Sequence, residues 1–167
     1  RVGVELGGQA PFIVFEDADL DAAVEGAVAA KMRNGGQACT AANHFHVHRD
    51  LAEEFAERLA GRLADLRIGR GTEPDVDLGP MIGSRQRQRL AHLVDDAAKR
   101  APVDVPEQGH YFAPVVLTGI PDGAAILNEE IFGPIAPISA FEREHEVLAR
   151  ANRCDQGLAA YVYTRDL

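Results

Sequence analysis

Residues 12–48 read FIVFEDADLDAAVEGAVAAKMRNGGQACTAANHFHVH, and their order of patterns decides the fold. Phe12-Ile13-Val14-Phe15 is a short continuous apolar run, the pattern of a strand buried on both faces. Asp17 and Asp19 then offer N-caps to a helix in which Leu20, Ala23, Val24, Ala27 and Val28 recur every three or four positions. That period stops near Met32, before Asn34-Gly35-Gly36, three residues that tolerate left-handed backbone angles. His44-Phe45-His46-Val47-His48 resumes with period 2 and reads as a second strand. Strand, helix, strand in this compass is a βαβ unit, which calls for a parallel pairing.

Outward from this unit the alternation continues. Leu51, Phe55, Leu59 and Leu63 make an apolar stripe, flanked by Ala52, Ala56, Ala60 and Ala64, and predict a helix over 51–66. Gly69 to Gly83 is rich in glycine and proline and reads as a long ordered loop. Ser84 is a candidate N-cap for a helix to Arg100, with Leu90, Leu93, Val94 and Ala97 facing inward. Residues 101–114 hold three prolines and read as irregular; Val115–Leu117 and Ile135–Phe141 read as strands. A helix over Glu144–Asn152 and a strand over Leu158–Tyr163 close the pattern. At the other end, Val2-Gly3-Val4-Glu5-Leu6 alternates as a short strand and stops on Gly7-Gly8. The class expected is α/β: a mostly parallel open sheet, Rossmann-like, with helices on both faces.

Bulk properties narrow the function. A chain of 167 residues suits one domain and can bury about 70% of its unfolded surface. A net charge of −9 argues against nucleic acid or an anionic membrane as partner. No apolar run is long enough to span a bilayer, and the first residues carry no signal-peptide pattern. Two cysteines, far apart and in unlike settings, form no disulfide framework, which suggests a reducing cytoplasm.

Cys39 is the candidate nucleophile. The turn before it can leave the thiol exposed, and backbone N–H groups at a turn can favour the thiolate. The competing reading is a small buried hydrophobe. Glu5, 34 positions earlier and also beside a glycine pair, is the second candidate. Glu5-Leu6-Gly7-Gly8 and Gly36-Gln37-Ala38-Cys39, in this order and at this spacing, resemble the aldehyde dehydrogenase superfamily. Asp77-Leu78-Gly79-Pro80-Met81-Ile82 resembles that family's loop at the same point, and Glu129-Glu130-Ile131-Phe132-Gly133-Pro134 its later turn.

The resemblance implies oxidation of an aldehyde with NAD or NADP. Cys39 would add to the carbonyl, the Cys39 N–H would help hold the resulting alkoxide, and Glu5 would activate water against the thioester. Glu130 would accept the hydroxyls of the nicotinamide ribose and Phe132 would pack near the nicotinamide. A carboxylate can accept two hydroxyls at once, and a ring limits sliding of a flat ligand. Lys31-Met32-Arg33-Asn34 looks like the succinate-semialdehyde dehydrogenase branch, in which Arg33 would grip the substrate's distal carboxylate through paired donors. Each residue also has a plainer reading. Glu5 and Glu130 could be solvated acids, and Arg33 a cation serving the helix dipole.

Ala41 stands where some members of that branch carry a second cysteine, so a disulfide switch is not expected. His44, His46 and His48 share one strand face. Same-face neighbours lie about 7 Å apart, so three ligands to one ion are not expected; a solvated edge face is, with no metal. Cys154 reads as structural.

No glycine-rich phosphate loop occurs in the chain. The resemblance implies that the family's nucleotide-binding domain and its oligomerisation segment lie outside residues 1–167, which would form one thiol-bearing catalytic domain of a homo-oligomeric parent. The stretch between Lys99 and Tyr111 is shorter than the family's pattern. Two alternatives stand beside the dehydrogenase reading: a folded domain that is silent by itself and serves packing or assembly, and a thiol hydrolase built on a Cys–His pair. NAD against NADP, and succinate against glutarate semialdehyde, stay open at this level.

Overall fold

The computed structural model describes residues 1–4, 6–97 and 109–166. Among the described residues five strands form one sheet: β1 (Pro11–Val14), β2 (His44–His48), β3 (Val115–Leu117), β4 (Ile135–Phe141) and β5 (Tyr161–Tyr163). Their order is β3-β4-β2-β1-β5, and every pairing is parallel. Four α-helices among the described residues lie between them: α1 (Leu20–Met32), α2 (Arg49–Ala64), α3 (Ser84–Ala97) and α4 (Glu144–Ala151). The sheet is therefore α/β and open, as the alternation of patterns requires.

The two faces of the sheet are covered differently. On one face Phe12, Val14, Phe45, Val47, Ala136 and Ile138 pack under α1 and α2, with Ala23, Ala27, Phe55 and Leu59 meeting them. Phe12 is the centre of this layer: its ring lies 5.0 Å from those of both Phe45 and Tyr163. On the other face Ile13 and Phe141 pack against Val147 of α4. A second core joins α3 to β3 through Leu90, Leu93, Val94, Val115 and Leu117, with Ile126 and Ile131 between them.

Local chemistry explains the boundaries. Asp19 caps α1 by accepting the Ala22 N–H at 3.1 Å. Asp17, the other candidate, instead accepts the Thr164 hydroxyl at 2.9 Å and the Arg165 N–H at 2.8 Å, tying β1 to the end of β5. His48 ends β2 and caps α2, which therefore begins at Arg49, two residues before the apolar stripe.

Three expectations need correction. Residues 2–4 and 6 form no strand, and Val2, Val4 and Leu6 are exposed. Alternation makes a strand only where a neighbouring ladder pairs with it, and no described residue supplies one. The final strand is confined to Tyr161–Tyr163, with Leu158 largely exposed. The histidine face is not a solvated edge. The strand β2 lies in the middle of the sheet, so His46 is 1% exposed and His48 7%. The last residues expected in the helix over 84–100, and the shortened stretch after it, fall at 98–108, outside the described residues.

Candidate active site

In an all-parallel sheet every strand starts at the same edge. Gly7 and Gly8 lie just before β1, Cys39 before β2 and Glu129–Pro134 before β4, so the three motifs meet at the amino edge. Nucleotide sites of open α/β sheets usually form at the opposite, carboxyl edge.

The turn that delivers Cys39 is built from unusual backbone. Asn34, Gly35 and Gly36 all have positive φ, 53°, 63° and 74°, as their types permit. Asn34 is held by its own neighbours, its Nδ2 donating to the Gln37 carbonyl at 3.0 Å. Gln37 returns a bond from its Nε2 to the Asn34 carbonyl at 3.2 Å, and its Oε1 accepts the Ile82 N–H at 2.8 Å, which joins the motif to the loop over 77–82. Cys39 and Thr40 are the central residues of a turn closed by Ala41 N–H to Ala38 O at 3.0 Å. Tyr161 donates its hydroxyl to the Thr40 carbonyl at 2.7 Å, and Ala42 N–H returns to Ala30 at 3.0 Å. The thiol-bearing turn is thus pinned to α1 and β5, while Cys39 itself is only partly buried. Its backbone N–H pairs with no described residue.

Close approaches between glycines and their neighbours bring the motifs together. A Cβ on Gly36 would lie 2.5 Å from the Gly133 carbonyl carbon, one on Gly8 3.9 Å from the Cys39 oxygen, and one on Gly7 2.8 Å from the Glu130 carboxyl carbon. Glu130 and Phe132 also line a cleft of about 720 Å³, together with Gly7, His44, His46 and Arg89. Cys39 is not among the residues lining that cleft; it lies beside Gly8, one residue on from the cleft wall. Glu130 Oε1 is buried there with no hydrogen-bond partner, an acceptor waiting for a donor. Phe132 is partly exposed, with φ of +54°. Arg33 ends α1, is exposed and has no ion-pair partner among the described residues. Glu5 lies outside the described residues.

Helix α3 holds the turn over 129–132 in place. Arg89 donates to the Ile131 carbonyl at 2.9 Å, the Glu130 carbonyl at 2.7 Å and the Glu129 carboxylate at 2.8 Å. Gln86 donates to the Phe132 carbonyl at 2.7 Å. These bonds stabilise the left-handed conformation that Phe132 would otherwise avoid. Neither residue was legible beforehand, because both occupy polar positions on a helix whose solvent face is rich in Arg and Gln. Asn43 was missed as well, although it is 2% exposed and makes three side-chain hydrogen bonds. The one available signal was a lone amide between two alanines and a strand.

His44 and His46 line the cleft, ring centroids 4.1 Å apart, with His44 Nε2 2.9 Å from Ser139 Oγ. Burial, with repulsion from Arg150, pushes His44 down to about 4. Burial, then His44 and Arg150, pushes His46 down to about 3. Both rings are therefore neutral at pH 7. His46 Nδ1 has no partner. Cys154 also lines the cleft, its Sγ donating to the Gln156 carbonyl at 2.7 Å.

The aldehyde dehydrogenase family model matches residues 1–167. The chain belongs to the aldehyde dehydrogenase family. Among curated relatives it is 49% identical to a succinate-semialdehyde dehydrogenase of Paenarthrobacter nicotinovorans, an alignment covering 99% of this chain and 38% of that protein. It is 43% identical to a glutarate-semialdehyde dehydrogenase of Pseudomonas putida, covering 100% of this chain and 36% of the relative. The crystal structure of succinate-semialdehyde dehydrogenase from Burkholderia pseudomallei superposes with a TM-score of 0.93 at 45% identity, over 98% of this chain and 35% of that one. The chain thus spans little more than a third of the length of the aldehyde dehydrogenases it matches. Among the described residues no helix is long and apolar enough to cross a membrane.

Proposed function

We propose that these residues are the thiol-bearing catalytic portion of a dehydrogenase that oxidises a semialdehyde, with succinate semialdehyde the favoured substrate, to the carboxylate. The observation that carries this is the convergence of the three motifs on one sheet edge: Gly36 against Gly133, Gly8 beside Cys39, and Gly7 backing Glu130.

In this reading each candidate residue has one role. Cys39 Sγ adds to the aldehyde carbon as a thiolate, and the carbonyl oxygen takes the negative charge. The Cys39 N–H, unpaired among the described residues, donates to that oxygen and lowers the barrier. Collapse of the alkoxide expels hydride and leaves a thioester on Cys39. A bound nicotinamide cofactor supplies the hydride acceptor. Glu130 fits the ribose of such a cofactor because its buried Oε1 lacks a donor, and Phe132 stands beside it as a ring against which a flat group can rest. Glu5, two residues before Gly7, takes the proton of the water that hydrolyses the thioester. Arg33, exposed and unpaired among the described residues, is available to the far carboxylate of the substrate.

The test is the full-length protein that carries these residues, assayed with succinate semialdehyde and either NAD or NADP at the absorbance of the reduced cofactor. Cys39→Ala is expected to abolish turnover with the fold intact. Retention of wild-type turnover would remove Cys39 from the reaction. The 167 residues alone are expected to show no dehydrogenase turnover but to keep hydrolysis of an activated ester, dependent on Cys39.

A further inference from the structure

Asn43 lies four residues after Cys39, and its side chain touches two of the other segments that meet at the amino edge. Its Nδ2 donates to Gln9 Oε1 at 2.7 Å and to the Glu129 carbonyl at 2.9 Å, while its Oδ1 accepts the Ile131 N–H at 2.7 Å. Its backbone N–H donates to the Ala10 carbonyl at 3.1 Å. Three side-chain bonds, to two acceptors and one donor, admit a single orientation of the amide; the flipped one would point NH2 at the Ile131 N–H. At 2% exposure, water does not substitute for these partners.

The two bonds to the turn fall on the residues immediately before and after Glu130. Asn43 therefore grips the backbone on both sides of the carboxylate while leaving the carboxylate free. Arg89 holds the Glu130 and Ile131 carbonyls of the same turn. The third bond, to Gln9, fixes the segment that starts with Gly7, the residue lying against the Glu130 carboxyl group.

We infer that Asn43 is a positioning residue for cofactor binding, setting the place of the Glu130 carboxylate relative to the Cys39 turn; this rests on the assignment of Glu130 to the cofactor ribose. Asn43 touches neither substrate nor cofactor. Its effect passes through Glu130, so it should alter the hold on the cofactor and leave the thiol's own reactivity alone.

The test is a double-mutant cycle in the full-length protein, with Asn43→Ala and Glu130→Gln separately and together. Asn43→Ala is expected to raise the KM for the nicotinamide cofactor about tenfold, equivalent to about 1.4 kcal/mol. The KM for succinate semialdehyde and the rate at which iodoacetamide alkylates Cys39 are expected to stay within about twofold. In the Glu130→Gln background the same substitution should add less than about a twofold change, because the group it positions is gone. Fully multiplicative effects would overturn the inference and leave Glu130 in its role. An unchanged cofactor KM in Glu130→Gln alone would overturn the Glu130 assignment, and the inference with it. Should Asn43→Ala fail to fold, Asn43→Asp keeps the acceptor for the Ile131 N–H and loses both donors. It is expected to raise the cofactor KM in the same way, and an unchanged value would overturn the inference.

Discussion

Gly36 and Gly133 meet backbone to backbone, with no space between them for a methyl group. One belongs to the turn that carries Cys39 and the other to the turn that carries Glu130 and Phe132, so this contact sets the distance between the two halves of the site. Gly36→Ala would add a Cβ to a residue with φ of +74° and force it into the Gly133 carbonyl. The expected cost is about 2–4 kcal/mol, from the left-handed conformation and the overlap together. Thermal unfolding of the 167-residue chain should show it as a lowered Tm. An unchanged Tm would mean that the two turns do not touch.

Arg33 should matter for one class of aldehyde only. In the full-length protein, Arg33→Ala is expected to raise the KM for succinate semialdehyde about 10- to 100-fold, the loss of a charge-assisted hydrogen bond. The KM for an uncharged aldehyde of similar length should hardly move. Equal changes for both would argue against recognition of a distal carboxylate.

The histidine pair predicts an acid-sensitive fold. Both rings take up protons less readily when folded than when unfolded, with folded values of about 4 and 3 against 6.5. Protonation therefore favours the unfolded chain: the stability is complete above pH 6.5 and drains as the pH falls toward 4. Each ring contributes up to about 1.4 kcal/mol per pH unit in that window. Tm measured from pH 7 to pH 4.5 should fall, and His46→Leu should flatten the slope. An equal slope in the variant would show that His46 is not the group responsible.

Lys31 is a destabilising feature of the chain taken by itself. It lies on the inner stripe of α1 with Ala23 and Ala27, 1% exposed, and its Nζ has no partner. Burial pushes its ammonium down to about 7. The unfolded chain binds this proton more tightly, so stability should rise with pH between about 7 and 10.5. Lys31→Met keeps the length and removes the charge, and should stabilise the 167 residues by about 1–4 kcal/mol at pH 7. The gain should shrink by pH 9.5. A gain independent of pH would mean that Lys31 is not buried as a neutral amine.

The periodicities of residues 12–66 were enough for the order of strands and helices and for a parallel sheet, because apolar spacing is a local property of the chain. Cys39, Glu130 and Phe132 could also be singled out, since each sits in a short motif, and Asn34-Gly35-Gly36 announced the left-handed turn. Strand order was another matter. Nothing in the pattern of His44, His46 and His48 tells whether β2 lies at an edge or in the middle. Only the pairing of β2 with both β1 and β4 buries that face and pushes the His44 and His46 rings toward the neutral form. The alternation of Val2, Val4 and Leu6 suggests a strand for the same reason, and without a paired neighbour among the described residues these three form none. Asn43, Gln86 and Arg89 bond to residues 34 to 88 positions away. Sequence by itself determined the kinds of elements and the chemical groups available, both of which depend on near neighbours. Tertiary structure alone decided which groups meet, because contacts between distant segments exist only once the sheet has put its strands in order.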